Sequence, residues 1–471
     1  MKAGSSPVRN VLRVGGTVVV VALLVTGCLT IQPDSVPTLY VGLGTSLQLK
    51  GTGAKGVVEW SATGLPSGLN VNPSTGELSG VPLTSGTFTV NLIATDHGDN
   101  DANTTKSIPI SVVAPNSPVL PAAGNAGSFK PVISSNGRYL AFASAATNLL
   151  PGTLPFPGAS NIYTLDRQTG VLLRLTDFYN VSTIDISGDG RYVVWGNGGD
   201  LYVWDRTTAT TTKVLVGNKS IDAHSASISD DGRYLAFHTT ASGLVGVDVY
   251  PGWTQVYVFD RDTGSLVRLT EAQAFSGYPQ ISADGQYVAF NSQSDVLTPG
   301  DTNGKQDVFL WSRATGTLTR VTSGNGDSDL WGISGTGGFL SIQSSASNLV
   351  AGDPTGHTGA FVWERATTKF TRVSPGTADV SSPVISDDAS TVVFASDSST
   401  IVPGDVNGQT DLFLWDRTSG TIVRLPSGNG YSSISETGLS ADGRVIAFGS
   451  ESSDLVAGDT NGLGDIFTWA R

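Results

Sequence analysis

A single cysteine, Cys28, stands in a chain of 471 residues, so no intramolecular disulfide can form. Charged side chains are sparse at 14%, and positive ones especially so, with 27 Lys and Arg against 40 Asp and Glu. A net charge of −13 repels phosphate backbones and anionic lipid, which argues against nucleic acid as a partner. The four histidines, His97, His224, His238 and His357, share no metal-ligand spacing. His238 follows an apolar strand residue and reads as structural. No Gly-x-Ser-x-Gly elbow and no phosphate loop occurs, which removes the usual serine-hydrolase and nucleotide-binding signatures. The apolar run Val18 to Val25 falls short of the roughly twenty residues that cross a bilayer.

That short run has a different use. Lys2, Arg9 and Arg13 precede it, and Val25-Thr26-Gly27 leads into Cys28, the order of a secretory signal. Small residues directly before a lone cysteine resemble the bacterial lipoprotein lipobox. The resemblance implies cleavage before Cys28 and lipidation of its sulfur; an ordinary signal peptide with an incidental cysteine is the alternative. Residues 1–27 are then signal peptide and 28–35 a tether, and 24 basic against 40 acidic side chains remain. The expected location is the bacterial cell envelope, lipid-anchored to a membrane and facing outside the cytoplasm.

Glycine is abundant, 58 residues, as suits a protein of many turns. From residue 125 onward one unit recurs seven times, marked by Ile133, Ile186, Ile228, Ile281, Ile333, Ile385 and Leu439, each followed by serine. The intervals are 53, 42, 53, 52, 52 and 54 residues. About four short strands per period of this length predict a β-propeller, in which each sheet buries its faces against its neighbours. Asn136-Gly137, Asp189-Gly190, Asp231-Gly232, Asp284-Gly285 and Asp442-Gly443 supply tight turns. Copy five has Gly337-Gly338; copy six has Asp388-Ala389, which predicts a strained or longer turn. An aromatic strand, expected to be an inner one, carries Tyr163, Tyr202, Tyr257, Phe309, Phe361, Phe413 and Phe467. Core packing is the first reading of these rings and a stacking platform for sugars the second. The repeats resemble TolB-like propellers, which implies a seven-bladed ring over 125–471. The last copy lacks an outer strand, and Val119-Leu120 is expected to supply it.

Upstream, alternating segments such as Phe88 to Ala94 and Ile108 to Val112 predict a β-sandwich over 36–114, joined by a Pro-rich linker at 115–124. The stretch Trp60-Ser61-Ala62-Thr63-Gly64-Leu65-Pro66-Ser67-Gly68-Leu69, followed by Thr75-Gly76-Glu77-Leu78-Ser79-Gly80, resembles the He-PIG immunoglobulin-like module. That resemblance implies a cadherin-like spacer or adhesive domain. The fold class is therefore all-β, a seven-bladed β-propeller preceded by a small immunoglobulin/cadherin-like β-sandwich.

Three copies share an Asp-x-Asn-Gly-x-x-Asp loop: Asp301, Asn303, Asp307; Asp405, Asn407, Asp411; and Asp459, Asn461, Asp465. Oxygen ligands at alternate positions around a glycine follow the logic of calcium loops. The same residues also make turns by bonding their own backbone, and both readings stay open. The cluster Asp96-His97-Gly98-Asp99-Asn100-Asp101 reads first as a hairpin loop. No catalytic residues emerge. The expected function is non-enzymatic binding of a protein or glycan by a monomer, with calcium as a structural ion. A polysaccharide hydrolase or lyase is the rival, because acids are plentiful and sequence cannot pair them; a TolB-like envelope-assembly partner is a third reading. Carboxylates and aromatics at the central channel would favour the rival, and a lining of Ser, Thr and Gly would favour binding.

Overall fold

The computed structural model describes the chain except for residues 1–9, 15–16, 22–28, 35, 37–38, 41–44, 81, 114–123, 152–158, 177–180, 218, 249, 354–355, 427, 457–458 and 460. Cys28 and the Val119-Leu120 segment thus lie outside the described residues. Every regular element among the described residues is a strand. The chain divides into two compact units after Ala114. Asn10–Val14 and Thr17–Val21 pair as an antiparallel hairpin.

In the first unit, a four-stranded sheet in the order Leu39–Tyr40, Ala102–Val113, Gly86–Asp96, Val58–Thr63 packs against Thr45–Gln48, Glu77–Gly80 and Leu69–Val71. Alternation on Gly86–Asp96 turns Val90, Leu92 and Ala94 into the core beside Trp60, Leu78 and Ile110, as a period of two dictates. A Cβ on Gly76 would lie 2.7 Å from the Trp60 indole nitrogen, and its φ is +71°. The glycine of the Thr-Gly-Glu segment is therefore a steric requirement of the tryptophan. Asp96, buried at the end of its strand, accepts the backbone N–H groups of Lys55, Gly56 and Gly98. The bond from Lys55 leads in holding its carboxyl below the usual range. Asp99 pairs with Lys55 at 2.8 Å and Asp101 with His97 at 2.6 Å, so the acids of this hairpin have partners within the protein.

Among its described residues the second unit holds seven successive blade sheets and, between the second and third, a two-stranded ribbon of Leu215–Val216 and Lys219–Ser220. Blade one runs Ser128–Ile133, Tyr139–Ser144, Asn161–Asp166, Val171–Arg174, each strand antiparallel to the last. Blades two to six repeat this order, and blade seven shows three strands among the described residues, Ser432–Leu439, Val445–Ser450 and Asp465–Ala470. The ring is closed: Ser128 N–H donates to Gly464 O at 2.7 Å, joining blade one to blade seven.

The first strand of each blade contacts the first strands of its neighbours, so these strands face the axis. The aromatic strand is the third one out, which corrects its expected inner position. Its rings meet direct cross-strand partners on the second strand, as in Phe142–Tyr163, Phe237–Tyr257, Phe290–Phe309, Phe394–Phe413 and Phe448–Phe467 at 5.7–5.8 Å. These pairs are buried and form the blade interior rather than a sugar platform.

The arginine that follows the third strand of blades two to six also has a packing role. Arg206, Arg261, Arg313, Arg365 and Arg417 each lie 3.9–4.3 Å over the ring of Tyr139, Tyr192, Tyr234, Tyr287 or Phe339 in the preceding blade. Such cation–π contacts contribute about 0.5–2 kcal/mol each. The same rings press on the next turn: a Cβ on Gly190 would sit 2.1 Å from Tyr139 Cδ2. Blade six keeps the turn at its usual length with Ala389 at φ +55°, its N–H bonded to Ser386 O at 2.9 Å. Strain, not lengthening, is the outcome.

Candidate functional site: the central channel

The turns after the seven first strands are linked by backbone hydrogen bonds that run once around the axis. Asn136 N–H donates to Gly188 O, Gly188 to Asp230, Asp230 to Ala283, Asp284 to Gly335, Gly335 to Asp387, Asp388 to Ala441 and Ala441 to Ser135, at 2.8–3.2 Å. Ile133, Ile186, Ile228, Ile281, Ile333, Ile385 and Leu439 form a buried belt just inside this ring and line a cavity on the axis. The Ile or Leu of each repeated pair is therefore the wall of the channel, while its serine hydroxyl accepts the N–H five residues on and holds the turn.

Two residues past each belt position the chain carries Ser135, Gly188, Asp230, Ala283, Gly335, Asp387 and Ala441. Small residues dominate, and the exceptions are the two acids of blades three and six. The Ser135 hydroxyl lies 2.8 Å from Asp230 Oδ1 and 3.1 Å from Asp387 Oδ2. Blades three and six are as far apart as two of seven can be, so these side chains cross the axis and obstruct this end. A Cβ on Gly188 would fall 2.2 Å from Asp230 Cγ, so only glycine admits the Asp230 side chain. Burial raises the Asp387 carboxyl to about 6, with the charge of Asp230 acting in the same direction. Asp230 is raised as well, by burial first.

Deeper in the channel, Asp185 is buried and accepts the N–H groups of Ile186 at 2.8 Å and Ile228 at 2.9 Å. Burial outweighs these bonds and pushes it up to about 7. Glu436 and Thr437 from blade seven stand on the same wall.

The other end is open. Lys130, His224, Tyr278, Trp331 and Glu436 surround a mouth enclosing about 780 Å³ of space that opens to solvent. Lys130 and Tyr278 both sit at bulges in their first strands, with φ of +52° and +51°. Bulges re-aim side chains, and left-handed backbone at bulky residues is strained. His238 holds one of them: its Nδ1 accepts the Tyr278 N–H at 3.1 Å, and burial lowers its pKa to about 4, so the ring is neutral. Tyr278 remains 51% exposed. The Trp331 indole nitrogen is buried without a hydrogen-bond partner. Burial lowers the Lys130 ammonium and raises the Glu436 carboxyl, each opposed by the charge of the other. From sequence the belt residues stand out only as repeat markers and His224 and His238 only as histidines without metal-ligand spacing; the other channel residues carry no sequence signal beyond the departure from Ser, Gly and Ala to Asp at 230 and 387.

The Asp-x-Asn-Gly-x-x-Asp loops lie at blade edges, away from the axis. In blade four, Arg320 Nη2 is 3.0 Å from Asp301 Oδ1 and 2.6 Å from Asp307 Oδ2. In blade six, Arg424 Nη2 is 3.6 Å from Asp405 and in contact with Asp411. Both arginines come from the fourth strand. Asn303, Asn407 and Asn461 turn their amide N–H to Asp307, Asp411 and Asp465 and accept a backbone N–H two residues on. The carboxylates of two loops thus already hold a cation of the protein's own. Among the described residues no group of three or more His, Cys, Asp or Glu is placed to hold a metal.

The family described as "Putative Ig domain" (He_PIG) matches residues 28–113. No curated protein sequence matches the chain. Among solved structures, the β-propeller domain of the trilobed protease from Pyrococcus furiosus, described as having an open velcro topology, aligns with a TM-score of 0.50 at 14% identity, over 73% of this chain and 95% of that one. An oligogalacturonate lyase in complex with manganese aligns at 0.49 and 14% identity, over 88% and 98%. TolB from Acinetobacter baumannii aligns at 0.39 and 14%, over 79% and 81%. At 14% identity the protease-domain likeness shows the fold alone, a β-propeller, and the family match gives the immunoglobulin-like domain that precedes it.

Proposed function

We propose that the protein is a non-enzymatic binding protein of the bacterial envelope, lipid-anchored through Cys28, whose propeller receives the end of a glycan in the open mouth of its channel. The observation that carries the ligand class is Tyr278, a half-exposed ring held in strained backbone by a neutral histidine. Beside it stand an unpartnered indole N–H, an ammonium and a carboxylate. Sugars present apolar C–H faces and many hydroxyls, and a flat ring with convergent polar groups suits both. Titration of the purified chain with soluble saccharides should reveal binding that Tyr278→Ala weakens at least tenfold without altering the melting temperature. Absence of any saccharide ligand, or equal affinity in the variant, overturns the reading.

Polysaccharide cleavage is the second reading, and by the channel-lining criterion the carboxylates Asp230 and Asp387 and the rings of Tyr278 and Trp331 favour it. The bonds of the two acids to one hydroxyl keep the bonded carboxyl oxygens within about 6 Å, near the roughly 5–5.5 Å separation of retaining glycosidases. Against it, the Ser135 hydroxyl fills the space where an anomeric carbon would have to sit. Product release from bound polysaccharide, abolished by Asp387→Asn, would establish cleavage; intact polysaccharide after prolonged incubation leaves binding.

A further inference from the structure

In blades four and six one guanidinium nitrogen sits between the first and last aspartates of the loop. Blade seven repeats the loop with Asp459, Asn461 and Asp465, and its described strands are three, the last being Asp465–Ala470. The fourth strand that carries the arginine in the other blades has no counterpart among the described residues. The linker 115–123 contains no lysine or arginine either. The pair remains buried all the same: Asp465 is fully enclosed and Asp459 is 5% exposed. Both oxygens of Asp459 and Oδ1 of Asp465 have no hydrogen-bond partner. An isolated buried carboxylate costs far more than a satisfied one, and two facing each other compound the cost.

We propose that Asp459 and Asp465 bind one calcium ion in the place that a guanidinium nitrogen occupies in blades four and six. Three unpartnered carboxylate oxygens are a hard, anionic donor set, and water can complete the six to eight ligands that calcium takes. The Asn461 amide already bonds Asp465 Oδ2 at 2.7 Å and Gly124 O at 2.9 Å. These bonds fix the remaining Asp465 oxygen and tie the loop to the start of blade one. The calcium loop motif therefore has one site in this chain, not three.

The test uses the full chain stripped with chelator. Calorimetric titration with calcium chloride should show one site with a dissociation constant of about 10⁻⁴–10⁻³ M, and saturating calcium should raise the melting temperature by about 2 °C or more. Asp459→Asn should abolish both effects, while Asp301→Asn and Asp405→Asn should retain them. In chelator, Asp459→Asn should melt no lower than wild type, because one of two like charges has been removed. A wild-type protein indifferent to calcium, a response that survives Asp459→Asn, an equal response to magnesium, or a variant that melts lower in chelator would each overturn the proposal.

Discussion

Asp230 and Asp387, from blades on opposite sides of the ring, share the single hydroxyl of Ser135 across the channel axis. One hydroxyl hydrogen can satisfy only one of them at a time, so the trio is best satisfied when one acid is protonated. Asp387 has its folded pKa at about 6, above the ordinary 3.8, with burial as the main cause. Its contribution to stability is complete below about pH 4 and is lost as pH rises through about 6. Asp185, at about 7, adds a loss of the same sign over a slightly higher range. Melting temperature should therefore fall between about pH 4 and pH 7 and level off above that. Asp387→Asn should stabilise the protein by about 1–2 kcal/mol at pH 8 and by nothing at pH 4. Parallel pH profiles for variant and wild type would contradict this.

Tyr278 sets ligand binding against stability at one residue. Its left-handed backbone costs about 1 kcal/mol or more, and glycine adopts that conformation without penalty. Tyr278→Gly should therefore retain or raise the melting temperature while abolishing saccharide binding. A clear drop in stability would mean that the ring packs as core.

Gly232 should tolerate no side chain. A Cβ there would lie 2.1 Å from Tyr192 Cδ2, at φ +71°. Gly232→Ala should cost about 2–4 kcal/mol by overpacking and backbone strain together, measured as a lower urea midpoint. Gly264→Ala, with the same φ of +71° and open space around it, isolates the backbone part and should cost less.

Repetition made the architecture legible. Six Ile-Ser pairs and one Leu-Ser pair, the Asp-Gly turns and the Trp60-to-Gly80 segment carry the propeller and the sandwich, because a repeated unit declares its own period. The channel was not legible, because its chemistry lies where copies differ. Asp230 and Asp387 replace small residues in a ring that exists only after closure. Tyr278 reaches the mouth through a bulge, which no period-two pattern reveals. The arginines that occupy the blade-four and blade-six loops sit 13 residues past the loops' final aspartates, on a different strand. Their meaning appears only once that strand folds back.

Arg320 offers a converse to the blade-seven site. Its Nε and Nη2 both donate to Asp307 Oδ2, at 3.0 and 2.6 Å, and Nη2 also reaches Asp301. Removing one partner of a buried ion pair costs about 3–5 kcal/mol, since the carboxylates stay behind uncompensated. Arg320→Ala should therefore be strongly destabilised in chelator. It should also recreate in blade four the arrangement of blade seven, two enclosed aspartates with no cation against them among the described residues. Calcium at ten times its dissociation constant returns about 1.4 kcal/mol by mass action. The variant's melting temperature should then rise with calcium by more than that of wild type, because it has two sites to fill. Arg320→Lys keeps a positive charge in the same place and should show only the wild-type response. If Arg320→Ala melts identically in calcium and in chelator, the paired aspartates of these loops do not hold a metal, and their geometry serves the guanidinium alone.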